Sequence, residues 1–531
     1  MAIAARLLFL TAKPFWFDEC FSVVVARLSW ANFLRLLWWR EANMSLYYVL
    51  LRIWLGVCPR SGQSEFFIRS LSVAIDAFTL PAIYWLGRQL YDRRVGLIAA
   101  ALFAFNAYSI RYAQEARSYT LFLLLATLSS GFLIALVRAP TRRNRLGYVL
   151  VSVLAVYAHF YALLLLAAHW LALRWLGSAR LAGLNEPEKD AADSPAGTQL
   201  CSQLWAQLRR AWIAIGIAVL PLLVFVAKTG AGPIRWIHRP SIGDLLRFSI
   251  YVTNGDPVIY FFACVLALIP LQRNILARSR NWETWRVHFL LIWLLFPIVL
   301  TVLLSFARPV FLPRYMIFCL PALFILMAAG LAAMRPAWLS AVIVCLVLIV
   351  SARMIPYVYQ HDFDDERDGS VAAAKFILDH AQPGDAVIFH IAATRIPYEF
   401  EQSELLRTEF SQSKVWRTGR ETKNAASAGL ASQPGPEILF PHHGAELDYR
   451  DFTGKPTADF VRGAVPGHPR VWIMLMNNGP AENPDATTVM LAKILPETFP
   501  RMTSWQFPKV AVLLYSQQEP ALRTPDSSLP H

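Results

Sequence analysis

In KPFWFDECFS, Asp18 and Glu19 stand side by side among Phe15, Trp16, Phe17 and Phe21. Further along, IRYAQEARSY sets Arg111, Glu115 and Arg117 close together, and FLPRY carries Arg314. Carboxylates can take a proton or hold a cation, and a guanidinium can grip an anion through two parallel N–H bonds. Arg111 and Glu115 are four residues apart, a spacing that pairs them on a helical turn. Both a structural ion pair and a site for a polar headgroup fit that spacing. Arg69, Glu41 and Asn43, then Lys228, Arg235, His238 and Arg239 in KTGAGPIRWIHRP, and Arg308, add polar groups to similar apolar surroundings. Any single arginine here has a plain reading too, a charge snorkelling to water from the membrane edge.

The elements that must position these groups are membrane helices. Of 531 residues, 56% are hydrophobic and 16% charged, against about 25% charged in a soluble domain. A spanning helix needs about 20 mostly apolar residues. Apolar runs near that length occur at 66–87, 95–110, 119–137, 147–160, 161–176, 211–227, 257–271, 287–306, 315–333 and 337–355, and the N-terminal segment brings the expected number to eleven. Only twelve residues precede Lys13, too few to span, so the first helix is expected either to extend ahead of Met1 or to be partial.

Alternate loops hold Arg88, Arg93 and Arg94; Arg138, Arg142, Arg143 and Arg145; and Arg273, Arg278, Arg280 and Arg286. By the positive-inside rule these loops are cytoplasmic, as is the N-terminus. Asp18, Glu19 and everything after residue 356 are then expected outside the cell membrane. The net charge of +14 follows the same loops and gathers on no nucleic-acid-binding module, so no nucleic acid partner is expected. The six cysteines are scattered without metal-type spacing and read as small buried hydrophobes.

Residues 13–65 form the first outer loop. Within it, LSWANFLRLLWWRE and SLYYVLLRIWLG have the Trp, Tyr, Leu and isolated Arg of helices lying in the headgroup plane, a roof over the outer leaflet. Residues 177–210 read as an inner polar loop. From 357 to 531 the pattern becomes that of an extracytoplasmic α/β domain. HDFDDERDGSVAAAKFILDHAQPGDAVIFH reads as helix, turn and strand, RVWIMLMNN and KVAVLLYSQ as later strands, and 401–465 as loop-rich.

FWFDECFS, EANMSLYYVLLRIWLG, RYAQEARSYTLFLLL, HFYALLLLAAHWL and FLPRYMIFCLPALFIL resemble the membrane glycosyltransferases of family 39 and their relatives, among them the protein O-mannosyltransferases and the lipid A aminoarabinose transferases. The resemblance covers residues 1–356. It implies a polytopic α-helical protein of the GT-C fold that takes a sugar from a polyprenyl-phosphate carrier among membrane lipids and passes it to an acceptor protein, lipid or glycan. Attack by an acceptor hydroxyl needs a base, and the leaving lipid phosphate needs charge stabilisation rather than a protonating acid. The resemblance makes Asp18 that base. Glu19 assists, orients the acceptor, ligates a metal or faces water. Arg117 and Arg314 are the leading phosphate-binding cations, with Arg69 and Arg111 behind them, and Glu115 is a candidate for binding the sugar or a divalent metal ion. Relatives show Asn-Pro-Pro where this chain reads Asn43-Met44-Ser45, so the stiffening of two prolines before the second roof helix is missing.

Other histidines and acids stay open at this level. His159 ends a helix on the outer side, while His169 reads as a hydrogen-bonded core histidine. His238 is a metal-ligand candidate without a partner at fixed spacing. Asp76, two turns into a helix, either pairs within the bundle or lines a wet cavity. The rival functions are a transporter or flippase, which predicts midplane ionisable groups and matching halves that the sequence does not display, and a non-catalytic membrane sensor with an outer ligand-binding domain.

Overall fold

A computed structural model describes residues 2–59, 63–176, 195–230, 237, 239–277, 281–360, 368–412, 435–443, 447–476 and 484–518. The chain divides into two compact units: Met1–Ala12, Glu41–Leu50 and Arg69–Phe363 form one, and Lys13–Arg40, Leu51–Ile68 and Asp364–His531 the other.

The first unit is helical. Seven helices among the described residues are long and apolar enough to cross a membrane: Glu65–Leu90, Tyr119–Arg138, Cys201–Thr229, Pro257–Leu276, Trp282–Ala307, Pro313–Ala333 and Ala337–Tyr357. Their outward faces carry exposed Ile213, Ile217, Phe261, Phe262, Val299, Leu303, Leu346 and Ile349, side chains suited to hydrocarbon rather than water. The protein is a multi-pass membrane protein. The other expected crossings are shorter: Arg142–Ala158 has 17 residues and Ala162–Leu176 has 15. The run expected at 95–110 breaks into Arg93–Ala104 and Ala107–Ala113, bent by 64°. Asn106 makes the corner by accepting from the Ser109 backbone N–H at 2.9 Å, and Asn254 Oδ1 receives the Ala107 N–H at 2.7 Å. The polar loop expected over 177–210 is helical from Pro195 onward, and 177–194 lie outside the described residues.

Small residues let these helices approach closely. A Cβ on Gly330 would overlap the Ala267 carbonyl, so Leu320–Ala333 and Pro257–Leu276 meet backbone to backbone. Asp76 is fully buried and paired with Arg6, whose remaining N–H groups donate to the carbonyls of Ala104 (2.9 Å) and Ala2 (3.0 Å) and to Ser109 Oγ (3.3 Å). Of the two readings of Asp76, the structure shows the pair.

The second unit contains a five-stranded sheet: β1 Ala386–Phe389, β2 Glu437–Phe440, β3 Arg470–Met476, β4 Arg501–Phe507 and β5 Val510–Ser516, in the order β2-β1-β3-β5-β4. β1 runs parallel to β2 and β3, whereas β5 is antiparallel to β3 and β4. Side chains alternate between faces with the period of two that strands impose. Val387, Phe389, Trp472 and Met474 pack with Ala373, Ile377 and Tyr398 on one face; Ala386, Ile388, Val471 and Ile473 pack with Val461, Leu491 and Ile494 on the other. β1, β3 and β5 are the strands expected from sequence; β2 and β4 are additional, their burial too uneven for an apolar run.

Candidate functional site

The Asn106 corner holds the RYAQEARSY segment. Arg111 and Glu115 are both buried and face each other, Nε to Oε1, at 3.6 Å, an ion-pair contact longer than an ordinary hydrogen bond. Two residues on, the Arg117 guanidinium lies 5.9 Å from the centre of the Tyr119 ring. Arg314 comes from the 3-10 helix Pro313–Cys319, and its guanidinium lies 5.8 Å from the centre of the neighbouring Tyr315 ring. The turn before that helix is shaped by Ser305 Oγ, which accepts from the N–H groups of Val310 (3.0 Å) and Phe311 (2.9 Å). Tyr161 donates its hydroxyl to the Val310 carbonyl.

His159 is the hub that joins these segments. Its ring centre lies 4.6 Å from Tyr315, 5.3 Å from Tyr161 and 6.5 Å from Tyr119, and it stacks on Phe122 at 5.0 Å with 12° between planes. Tyr112 continues the chain of rings, 4.9 Å from both Tyr108 and Tyr119. The charges of both Arg117 and Arg314 act on the imidazole. Two cations from segments almost 200 residues apart in sequence are thus held around one buried aromatic cluster. Such a cluster is suited to an anion: guanidinium groups supply charge-assisted hydrogen bonds, and surrounding rings lower the local dielectric that would screen them.

Asn43 supports the hub. Its Oδ1 accepts from the Phe160 backbone N–H at 3.1 Å, and Ser45 Oγ donates to the Tyr157 carbonyl at 3.3 Å, so the 43–45 turn fixes the chain on both sides of His159. Met44 between them is buried with φ of 64°. Proline is locked near −65°, so the Asn-Pro-Pro of the resembled family cannot adopt this turn. The departure seen in sequence is therefore a different backbone conformation. Arg69 is buried and donates to the Leu10 carbonyl at 2.8 Å.

Asp18 and Glu19 occupy the first turn of the helix Phe17–Arg27 in the second unit. Glu19 is fully buried, so it does not face water, and Asp18 is half-buried. The helix packs against Arg395–Gln412, and Arg27 donates to Ser403 Oγ (3.2 Å) and Gln63 Oε1 (3.2 Å) and pairs with Glu404 (3.4 Å). Acids gather along it. Burial, and then the charges of Glu19, Glu401, Asp368 and Glu65, push the Cys20 thiol up. Asp368 is raised mainly by burial, with Asp18 adding to the effect. Glu401 is pushed up to about 7 by burial and by Glu404.

Of the residues singled out from sequence, Arg117, Arg314 and Asn43 gather around His159 in the first unit, Arg111 and Glu115 face each other in the same unit, and Asp18 with Glu19 stand together in the second. His238 and Arg235 lie outside the described residues. Among the described residues, no group of three or more His, Cys, Asp or Glu side chains is placed to hold a metal ion. The sequence names His159 only as a histidine at a helix end, and Tyr119, Tyr161 and Tyr315 are members that it does not single out. Their signal was a tyrosine or a histidine close to the end of an apolar run, too common a pattern at membrane edges to mark a site.

No protein-family model and no curated protein matches the sequence. Solved structures do. ArnT from Cupriavidus metallidurans, an aminoarabinose transferase, superposes in its apo state with a TM-score of 0.57 at 12% identity, over 97% of this chain and 96% of that one. The same protein bound to undecaprenyl phosphate gives a TM-score of 0.52 at 11% identity, with the same coverage. At this identity the likeness shows the fold: the chain has the GT-C fold along almost its whole length.

Proposed function

We propose that this protein is an integral-membrane glycosyltransferase that moves a sugar from a polyprenyl-phosphate donor to a hydroxyl of an acceptor protein, lipid or glycan. The reaction takes place on the outer face of the cell membrane, with the N-terminus cytoplasmic and residues 357–531 outside. The observation that carries this reading is the pair Arg117 and Arg314 around the buried His159 cluster. Two guanidinium groups suit a phosphate whose lipid tail stays in the bilayer. The GT-C likeness to a protein crystallised with undecaprenyl phosphate supports the same reading.

In the proposed reaction the acceptor oxygen attacks the anomeric carbon, and its proton passes to the Asp18 carboxylate. The bond from that carbon to the phosphate oxygen breaks, and its electron pair leaves with the polyprenyl phosphate. Arg117 and Arg314 stabilise the charge that develops there, which a poised cation does more strongly in a water-poor site. Glu19 orients the acceptor, Glu115 binds the sugar, and Arg69 and Arg111 hold the surrounding segments.

The test is release of polyprenyl phosphate by the purified protein from a panel of labelled polyprenyl-phosphate sugars, with Asp18→Asn beside it. Turnover with one donor and its loss in the variant is the expected result. No turnover with any donor, or equal turnover in Asp18→Asn, overturns the proposal.

A further inference from the structure

We propose that His159 is a third phosphate-binding group, donating its Nε2–H to the lipid phosphate held by Arg117 and Arg314. This rests on the donor assigned above. His159 is 1% exposed. The backbone N–H of Tyr161 donates to Nδ1 at 3.2 Å, so Nδ1 carries the lone pair and the proton of the neutral ring sits on Nε2. Nε2 has no hydrogen-bond partner among the described residues. A buried N–H without an acceptor is costly, so one left in place points to an acceptor that binds there.

The surroundings limit what that acceptor is. Stacking on Phe122 fixes the ring plane, Asn43 and Ser45 fix the backbone on either side, and the charges of Arg117 and Arg314 reach the ring. An acceptor beside two guanidinium groups is an anion. A neutral imidazole adds a directional bond without adding a third charge, and that bond is stronger to an anionic phosphate oxygen than to an uncharged hydroxyl.

The other buried histidine among the described residues of this unit, His169, is the internal control. In His169, Nε2 lies 3.0 Å from Ser130 Oγ and Nδ1 lies 3.2 Å from the Tyr148 hydroxyl. Both ring nitrogens are used within the protein, leaving nothing for a ligand.

The experiment measures binding of polyprenyl phosphate and of the uncharged polyprenol to the full-length protein in nanodiscs, for wild type, His159→Phe and His159→Gln. Phenylalanine keeps the stacking ring and removes the donor; glutamine returns an N–H close to the Nε2 position. The expected result is a loss of about 30-fold in phosphate affinity for His159→Phe, unchanged polyprenol affinity, and recovery to within a few-fold for His159→Gln. Equal weakening for both lipids marks a structural role and overturns the inference, as does wild-type phosphate affinity in His159→Phe; in either case the glycosyltransferase reading stands. If the wild type does not prefer polyprenyl phosphate to polyprenol, that reading falls, and this inference falls with it.

Discussion

His159 and His169 are both buried and lie ten residues apart, His159 just before the helix Ala162–Leu176 and His169 in its middle, yet their surroundings differ in kind. Around His169 every ring nitrogen is matched by a hydroxyl from a neighbouring helix, Ser130 or Tyr148. Around His159 the neighbours are rings and cations, and among the described residues one nitrogen has only the Tyr161 backbone while the other has no partner. A polar node that is complete within the protein holds helices together; one that is incomplete holds something else. The Arg6–Asp76 node stands between the two: Arg6 directs its N–H groups to Asp76 Oδ2, two carbonyls and a serine, while Asp76 Oδ1 has no hydrogen-bond partner among the described residues.

The sharpest way to break this contrast is to remove a cation from the incomplete node. Arg314→Met should lower kcat/KM for sugar transfer by about 100-fold, the worth of a charge-assisted pair of bonds, while leaving thermal unfolding in detergent within a degree or two. A variant that unfolds early but transfers normally per folded molecule would place Arg314 with the structural nodes.

The complete node should behave in the opposite way. His169→Leu strands the Tyr148 hydroxyl and should cost about 2 kcal/mol of stability, with kcat/KM unchanged within a few-fold. A smaller effect is expected at the turn beneath the hub. Met44→Pro cannot keep φ at 64° and should cost more than about 1 kcal/mol, with a rise in KM as the Asn43 bond to Phe160 shifts. Retention of wild-type KM would show that the turn does not position the hub.

The smallest effect lies in the second unit, where the same distinction holds between two carboxylates. Asp385 is complete, with Arg470 Nε and Trp472 Nε1 each at 2.8 Å. Glu401 is raised to about 7 by burial and by Glu404. A raised carboxyl contributes stability fully below its ordinary value near 4.5 and loses it as pH rises through 7. Glu401→Gln should therefore stabilise this unit at pH 8 by on the order of 1 kcal/mol after solvent screening, and by nothing at pH 4. Equal melting shifts at both values would show that Glu401 is not perturbed.

Much of this was legible in the sequence. Long apolar runs marked the helices, and short apolar runs bounded by turn residues marked β1, β3 and β5, because burial against lipid or on both faces of a sheet leaves a local trace in composition. The anion-binding candidates Arg117 and Arg314 followed from their types and their places at helix ends. What escaped had a non-local cause. The 64° bend at Asn106 depends on Asn254, about 150 residues away in sequence. The edge strands β2 and β4 are made by pairing rather than by their own composition. Met44 looked like the loss of a stiff turn and is instead a turn of another conformation.

The sequence by itself determined that this chain crosses the membrane many times, that an α/β part follows, and which ionisable residues stand near helix ends. These are properties of short segments, set by how hydrophobic side chains repeat along the chain. Only the tertiary structure decided which buried polar atoms are satisfied. His159 and His169 are the same residue in similar apolar runs; whether each nitrogen meets a partner depends on side chains brought in from other helices, and no local pattern encodes that.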